Sequence, residues 1–223
     1  MDTNILAKYI DHTSLSPQLT HQGVLEICRE SLEFGFYAVC LAPCWISTAK
    51  ETLTADSVKI ATVISFPHGN DLSSAKALAA QQAKSAGADE IDRVINLGWA
   101  AEGNWSAVES DIAQVVKAVQ PAPVKVILET CLLSVDQIQK ACHAAAQAGA
   151  KFVKTSTGFS KAGATIEAVR LMKSSIPPTM EVKASGGIRD QATALAMIDA
   201  GATRLGTSSG VAILSGKPTQ SNY

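Results

Sequence analysis

The chain has 223 residues, with 19 Lys and Arg against 20 Asp and Glu and a formal net charge of −1. That length suits one α/β domain with a full core and is too short for two; the near-neutral charge offers no basic field for nucleic acid and no polybasic patch for a membrane. No apolar run approaches 18 residues, so a membrane-spanning helix is excluded, and Met1-Asp2-Thr3-Asn4 lacks the basic start of a signal peptide. A cytoplasmic protein is expected.

In chain order, Lys8-Tyr-Ile-Asp-His12 is the first strand candidate, followed by a helix around Val24 to Phe34. Further strand candidates end near Cys40, Ser65, Val94, Glu129, Thr155, Ala184 and Gly206. Between them an Ala-rich amphipathic helix repeatedly ends in Ala-Gly-Ala and passes at once into a short apolar strand, as at Gly87, Gly149 and Gly201, with a looser copy at Gly35. Each of these glycines sits where a helix C′ residue takes the left-handed conformation. Ser106-x-x-Glu109 and Ser134-x-x-Gln137 read as capping boxes at helix starts. Eight strand–helix units in so short a chain predict an α/β fold of the closed (β/α)8 TIM-barrel type, one domain over residues 1–223 with a flexible tail at 215–223. An open Rossmann or flavodoxin-like sheet is the competing reading, but no strand is followed by Gly-x-Gly-x-x-Gly.

On a barrel, catalytic groups belong at the C-terminal ends of the strands. Lys154, in Phe152-Val-Lys-Thr-Ser-Thr-Gly-Phe159, puts an ammonium inside a buried strand, and Lys183, in Glu181-Val-Lys-Ala-Ser-Gly-Gly-Ile-Arg189, does so one strand later. Strands about 4.8 Å apart bring the two amines close. At about 5 Å and an effective dielectric near 20 their repulsion is roughly 3 kcal/mol, enough to leave one lysine partly a free amine. The bland alternative pairs both lysines with Glu181 or Glu129. Asp92, mid-strand, requires cationic partners, for which Lys154, Lys183 and Lys125 are the candidates; an ion-pair network and a proton relay are both open to it. Ser185-Gly-Gly-Ile-Arg189 and Gly206-Thr-Ser-Ser-Gly210 offer backbone N–H groups and hydroxyls at the last two strand ends, the usual barrel position for a substrate phosphate.

Metal-ligand spacing is lacking: His12, His21, His68 and His143 fall in separate segments, and Cys40 and Cys44 have no matching second pair. Neither a metal nor another cofactor is expected. Cys40 is placed at the barrel mouth and Cys131 after the fifth strand.

Taken together, Tyr9-Ile-Asp-His-Thr13, Val39-Cys-Leu-Ala-Pro43, Val63-Ile-Ser-Phe-Pro67, Gly87-Ala-Asp-Glu-Ile-Asp92, Val124-Lys-Val-Ile-Leu-Glu-Thr-Cys131, Phe152-Val-Lys-Thr-Ser-Thr-Gly158, Val182-Lys-Ala-Ser-Gly-Gly-Ile-Arg189 and Gly206-Thr-Ser-Ser209 resemble the deoxyribose-phosphate aldolase family over essentially the whole chain. The resemblance implies reversible cleavage of 2-deoxyribose 5-phosphate to acetaldehyde and glyceraldehyde 3-phosphate through a lysine imine. It maps Lys154 to the Schiff-base lysine, Lys183 to the lysine that tunes it and Asp92 to the proton relay. Asp11, Cys40, Lys125 and Thr157 map to the pocket, and Gly158, Gly186, Gly187, Ser208 and Ser209 to the phosphate cradle. Two positions depart from the pattern. Arg93 replaces an apolar residue and by alternation points to the helix layer; Phe159 stands where some members carry a lysine. The expected partner is a small sugar phosphate, with a homodimer left open and Tyr223 at the tail as a candidate proton relay. A different lysine aldolase, a phosphosugar isomerase, a sugar-phosphate-binding protein and a metal-dependent aldolase are the competing readings.

Overall fold

The computed structural model describes residues 1–53 and 58–216; Tyr223 and tail residues 217–223 lie outside the described residues. Eight parallel strands close into a barrel in chain order, β8 pairing back to β1. They are β1 (Ile10–Ser14), β2 (Ala38–Leu41), β3 (Lys59–Ile64), β4 (Glu90–Val94), β5 (Val124–Ile127), β6 (Phe152–Lys154), β7 (Glu181–Ser185) and β8 (Arg204–Thr207). The connecting helices are α2 (His21–Phe34), α3 (Ile46–Thr52), α4 (Ser73–Ala86), α5 (Leu97–Ala101), α6 (Trp105–Val119), α7 (Val135–Gln147), α8 (Ile166–Ser174) and α9 (Gln191–Asp199), with α1 (Thr3–Ala7) before the barrel and α10 (Gly210–Ser215) after it.

The helices end as expected: Gly35, Gly87, Gly149 and Gly201 all have positive φ, and Ser134 with Gln137 forms a complete capping box for α7. The Ser106 box does not form. Gly103, at φ +76, turns the chain early, so Asn104 becomes the cap and its side chain accepts from the Ala107 N–H. The first strand also starts later than expected. Asp2 caps α1, which runs to Ala7 with Lys8 as its C-cap, and Leu6 and Ala7 are buried. Two strands end early, at Ile64 and Ile127, just ahead of the left-handed residues Ser65 (φ 53) and Glu129 (φ 57).

The main hydrophobic core lies between the strands' outer faces and the helices, built largely from Val, Ile, Leu and Ala. Inside the barrel the filling is different. Strands β2 and β3 contribute a small apolar group, Ala38, Cys40, Ala61 and Val63. Buried charged side chains from the other strands supply most of the rest: Asp11, Glu90, Asp92, Lys125, Lys154, Lys183 and Arg204.

Strand β4 carries charge on both faces. Asp92 points inward, whereas the neighbouring Arg93 points out and is fully buried against α6, where it pairs with Asp111. Lys76 of α4 reaches the same carboxylate at 2.9 Å and also donates to the Gly69 carbonyl at 2.7 Å, tying the loop after β3 to the helix layer. Removing one member of such a buried group strands its partners without solvation. Asp111→Ala, which leaves two cations facing apolar helix, is expected to cost about 3–5 kcal/mol, read as a lower urea midpoint at unchanged m-value.

Candidate active site

The inward side chains of six strands form one charge network, in which three lysines converge on one carboxylate. Asp92 Oδ1 accepts from Lys125 at 2.7 Å, and Asp92 Oδ2 accepts from both Lys154 at 2.8 Å and Lys183 at 2.9 Å. Register explains the convergence: Asp92 is opposite Lys125, and Lys154 is opposite Lys183. Beneath them Asp11 Oδ2 accepts from Lys183 at 2.5 Å, and Asp11 Oδ1 accepts from Arg204 at 2.9 Å. Glu90 Oε2 bridges Lys125 at 2.6 Å and Arg204 at 2.8 Å. Gly206 leaves room for this: a Cβ there would stand 3.0 Å from Lys183 Cε.

The three lysines are not equivalent. Lys183 and Lys125 are held above the usual lysine range; burial opposes their charge, but Asp11 and Asp92 outweigh it for Lys183, and chiefly Asp92 and Glu90 for Lys125. Lys154 is pushed down, first by burial and then by the Lys183 ammonium, with Asp92 opposing. Burial outweighs the like-charge repulsion expected from the sequence, and Asp92 does not offset the two because Lys154 touches one carboxylate oxygen and shares it. Asp92 is held well below the carboxylate range: burial would raise it, but Lys125, Lys154 and Lys183 prevail. Burial pushes the Cys40 thiol up, so it stays protonated beside the lysines.

Lys154 also forms the floor of a cavity of about 750 Å³, mouth included, at the C-terminal end of the barrel. Thr157, Gly158, Gly186, Gly187 and Ser208 line it, together with Thr13, Phe159, Ser185 and Arg189. Asp11, Cys40, Asp92, Lys125 and Lys183 lie beneath its wall, fully buried. Ser209 does not face the cavity: it is buried, and its N–H donates to Thr207 Oγ1 at 2.9 Å. Thr157 is fixed by Glu129, whose left-handed backbone brings the carboxylate to the Thr157 hydroxyl and N–H. The loops after β6 and β7 are clasped where Ala164 N–H donates to the Gly186 carbonyl at 3.0 Å. A Cβ on Gly163 would stand 2.1 Å from that oxygen, so only glycine fits.

Neither Glu181 nor Glu129 pairs with the inner lysines. Glu181 binds Lys151 at 2.9 Å at the opposite end of the barrel, and Glu129 is spent on Thr157. The residues missed by sequence reasoning are Glu90 and Arg204. Period-two alternation could have found them, since each lies two residues before an inward position, Asp92 and Gly206.

Asp92 and Asp11 are both held below their ordinary value, Asp11 by Lys183, Lys125 and Arg204 against the effect of burial. A carboxylate depressed in the folded state adds stability that is complete above its unfolded pKa, about 3.9, and lost as pH falls through the folded value. The contribution of these two carboxylates is therefore expected to be constant from pH 8 to 5 and to fall below about pH 4. In Asp92→Asn the acid slope of urea-unfolding free energy should be shallower, by up to about 1.4 kcal/mol per pH unit.

This geometry has counterparts in known proteins. The family model for DeoC/LacD family aldolases matches residues 5–216. The chain is 54% identical over 211 residues to a deoxyribose-phosphate aldolase of Mannheimia succiniciproducens, covering 95% of this chain and 94% of that one. It is 50% identical over 215 residues to that of Thermococcus gammatolerans, covering 95% and 96%. Among solved structures, the tetrameric deoxyribose phosphate aldolase of Aeropyrum pernix superposes with a TM-score of 0.90 at 35% identity, covering 96% of this chain and 91% of that one. With an aldolase family model spanning the barrel and relatives matched almost end to end, the chain belongs to the DeoC/LacD family of aldolases.

Proposed function

We propose that the protein is a class I aldolase that cleaves 2-deoxy-D-ribose 5-phosphate reversibly to acetaldehyde and D-glyceraldehyde 3-phosphate, with Lys154 as the imine-forming lysine. The observation that carries the reading is the asymmetry among the buried lysines: the one that reaches the cavity is also the one whose charge the interior favours least. A neutral amine at the cavity floor is what attack on an aldehyde carbon requires.

The steps follow from the placement. Lys154 Nζ adds to the substrate aldehyde, and loss of water gives an iminium that serves as the electron sink. A base takes the C3 hydroxyl proton, the C2–C3 bond breaks into the iminium, and glyceraldehyde 3-phosphate departs. The remaining enamine is protonated at C2, and hydrolysis frees acetaldehyde and the amine. Asp92 and Lys183, hydrogen-bonded to each other beside Lys154, are the groups to move these protons, through a water at the carbon ends. The Gly186, Gly187 and Ser208 edge supplies backbone donors and a hydroxyl for the phosphate. Phe159 lines the same edge, so anion affinity there leans on main-chain donors and on Arg189. The reading carries with it a cytoplasmic location and leaves room for a homodimer; the tetrameric Aeropyrum relative supports self-association alone.

Borohydride reduction in the presence of acetaldehyde is expected to add a two-carbon unit to Lys154, located by peptide mass mapping. Lys154→Ala should lose the adduct, and an adduct on Lys183 would exchange the two roles. Asp92→Asn should lower turnover by about 10²–10⁴-fold.

A further inference from the structure

The lower half of the barrel holds a pair that these steps do not use. Arg204, at the start of β8, lies with its guanidinium carbon 3.6 Å from the centre of the Tyr37 ring and 5.2 Å from that of Phe152. It donates to Asp11 and to Glu90, and Glu90 passes the contact on to Lys125. No Arg204 atom touches the cavity that Lys154 floors, because Arg204 is not among its lining residues.

Charge conservation gives this distant group a role. The connected interior holds three carboxylates, Asp11, Glu90 and Asp92, and four basic side chains, Lys125, Lys154, Lys183 and Arg204. One cation is therefore in excess, and burial makes an unmatched charge expensive. Arginine does not release its proton in proteins. Lys125 and Lys183 each contact two carboxylates within 2.9 Å, whereas Lys154 contacts one oxygen that it shares with Lys183. The unmatched proton is lost at least cost from Lys154.

We propose that Arg204 is a positioning residue for the aldol reaction, whose permanent charge uses up carboxylate at the base of the network and leaves Lys154 as the amine the interior cannot keep protonated. The inference rests on the reading of Lys154 as the imine-forming lysine. The groups facing the network are Asp11 from β1, Tyr37 and Cys40 from and before β2, Glu90 and Asp92 from β4, Lys125, Lys154 and Lys183 from β5 to β7. Strand β3 contributes Ala61 and Val63, and Lys59 at its start pairs with Asp89 at 3.9 Å. At the lower opening Lys8, Lys151 and Glu181 join Arg204, and Lys151 and Glu181 neutralise each other at 2.9 Å.

The test uses two substitutions of opposite sign on one contact. Arg204→Met removes a positive charge and Glu90→Gln a negative one, from the full-length protein. The readout is the pH dependence of borohydride trapping of acetaldehyde on Lys154, alongside the acid limb of kcat/KM. The acid-side midpoint is expected to rise in Arg204→Met and to fall in Glu90→Gln. Each shift should be about one pH unit, the effect of an elementary charge at roughly 10 Å and an effective dielectric near 20. Arg204→Lys, which keeps a charge, should stay near the parent midpoint. If Arg204→Met does not fold, the fall in Glu90→Gln together with an unshifted Arg204→Lys carries the proposal. Midpoints that stay put, or that move in the same direction in both charge-removing variants, would show that Arg204 only props the barrel. A parent adduct on a lysine other than Lys154 would instead sink the underlying assignment.

Discussion

Everything inside the barrel depends on one buried carboxylate accepting hydrogen bonds from three lysine side chains. Asp92 binds Lys125, Lys154 and Lys183 across four consecutive strands. Barrels of this class commonly fill their interiors with layers of branched apolar side chains. Here β2 and β3 do so, Phe152 of β6 sets a ring among the charges, and the remaining inward positions largely exchange charge. Such an interior is tolerable because almost every charge is answered within hydrogen-bonding distance. The one deficit it leaves falls on the side chain that opens to the cavity. Packing and reactivity therefore have a common origin: the same charges that close the lower barrel set which amine the interior favours least as a cation.

Above that floor the site is held by short main-chain clasps rather than by long side chains. Gly163 and Gly186 pack backbone against backbone, Thr207 Oγ1 donates to the Ile188 carbonyl at 2.6 Å, and Ser185 Oγ donates to the Ser156 carbonyl at 2.6 Å. Loops tied this way present their N–H groups in fixed positions, so little ordering remains when an anion docks. Glu129, strained into the left-handed region, extends the same principle to Thr157.

The architecture was readable in the sequence because its punctuation is physical. Glycines that must be left-handed, at Gly35, Gly87, Gly149 and Gly201, mark where each helix hands over to a strand. Lys154, Lys183 and Asp92 were legible because charged residues in apolar strands need a reason to be there. Capping was less legible, since Ser106 and Asn104 are both competent caps and only the turn at Gly103 selects between them. Glu90 and Arg204 escaped because each sits at a strand start, where a charge reads as solvent-facing. Alternation from Asp92 and Gly206 marks both positions as inward, but only the enclosure of the assembled barrel shows that an inward charge at a strand start is buried. The dominance of burial over repulsion at Lys154 was hidden for the same reason: it is a property of the whole enclosure.

The double charge on β4 has a consequence for how the barrel finds its alignment. A strand whose two faces are both apolar can slide along its neighbours at modest cost, because each one-residue step replaces one branched side chain by another. β4 has no such freedom. A step in one direction would bring the Arg93 guanidinium among the Lys125 and Lys183 ammonium groups; a step in the other would set Asp92 against Asp111 of α6. Both misalignments place like charges together in a dry interior, where repulsion is least screened. The alternating signs of Asp92 and Arg93 thus act as a key that rejects a one-residue slip of the strand in either direction.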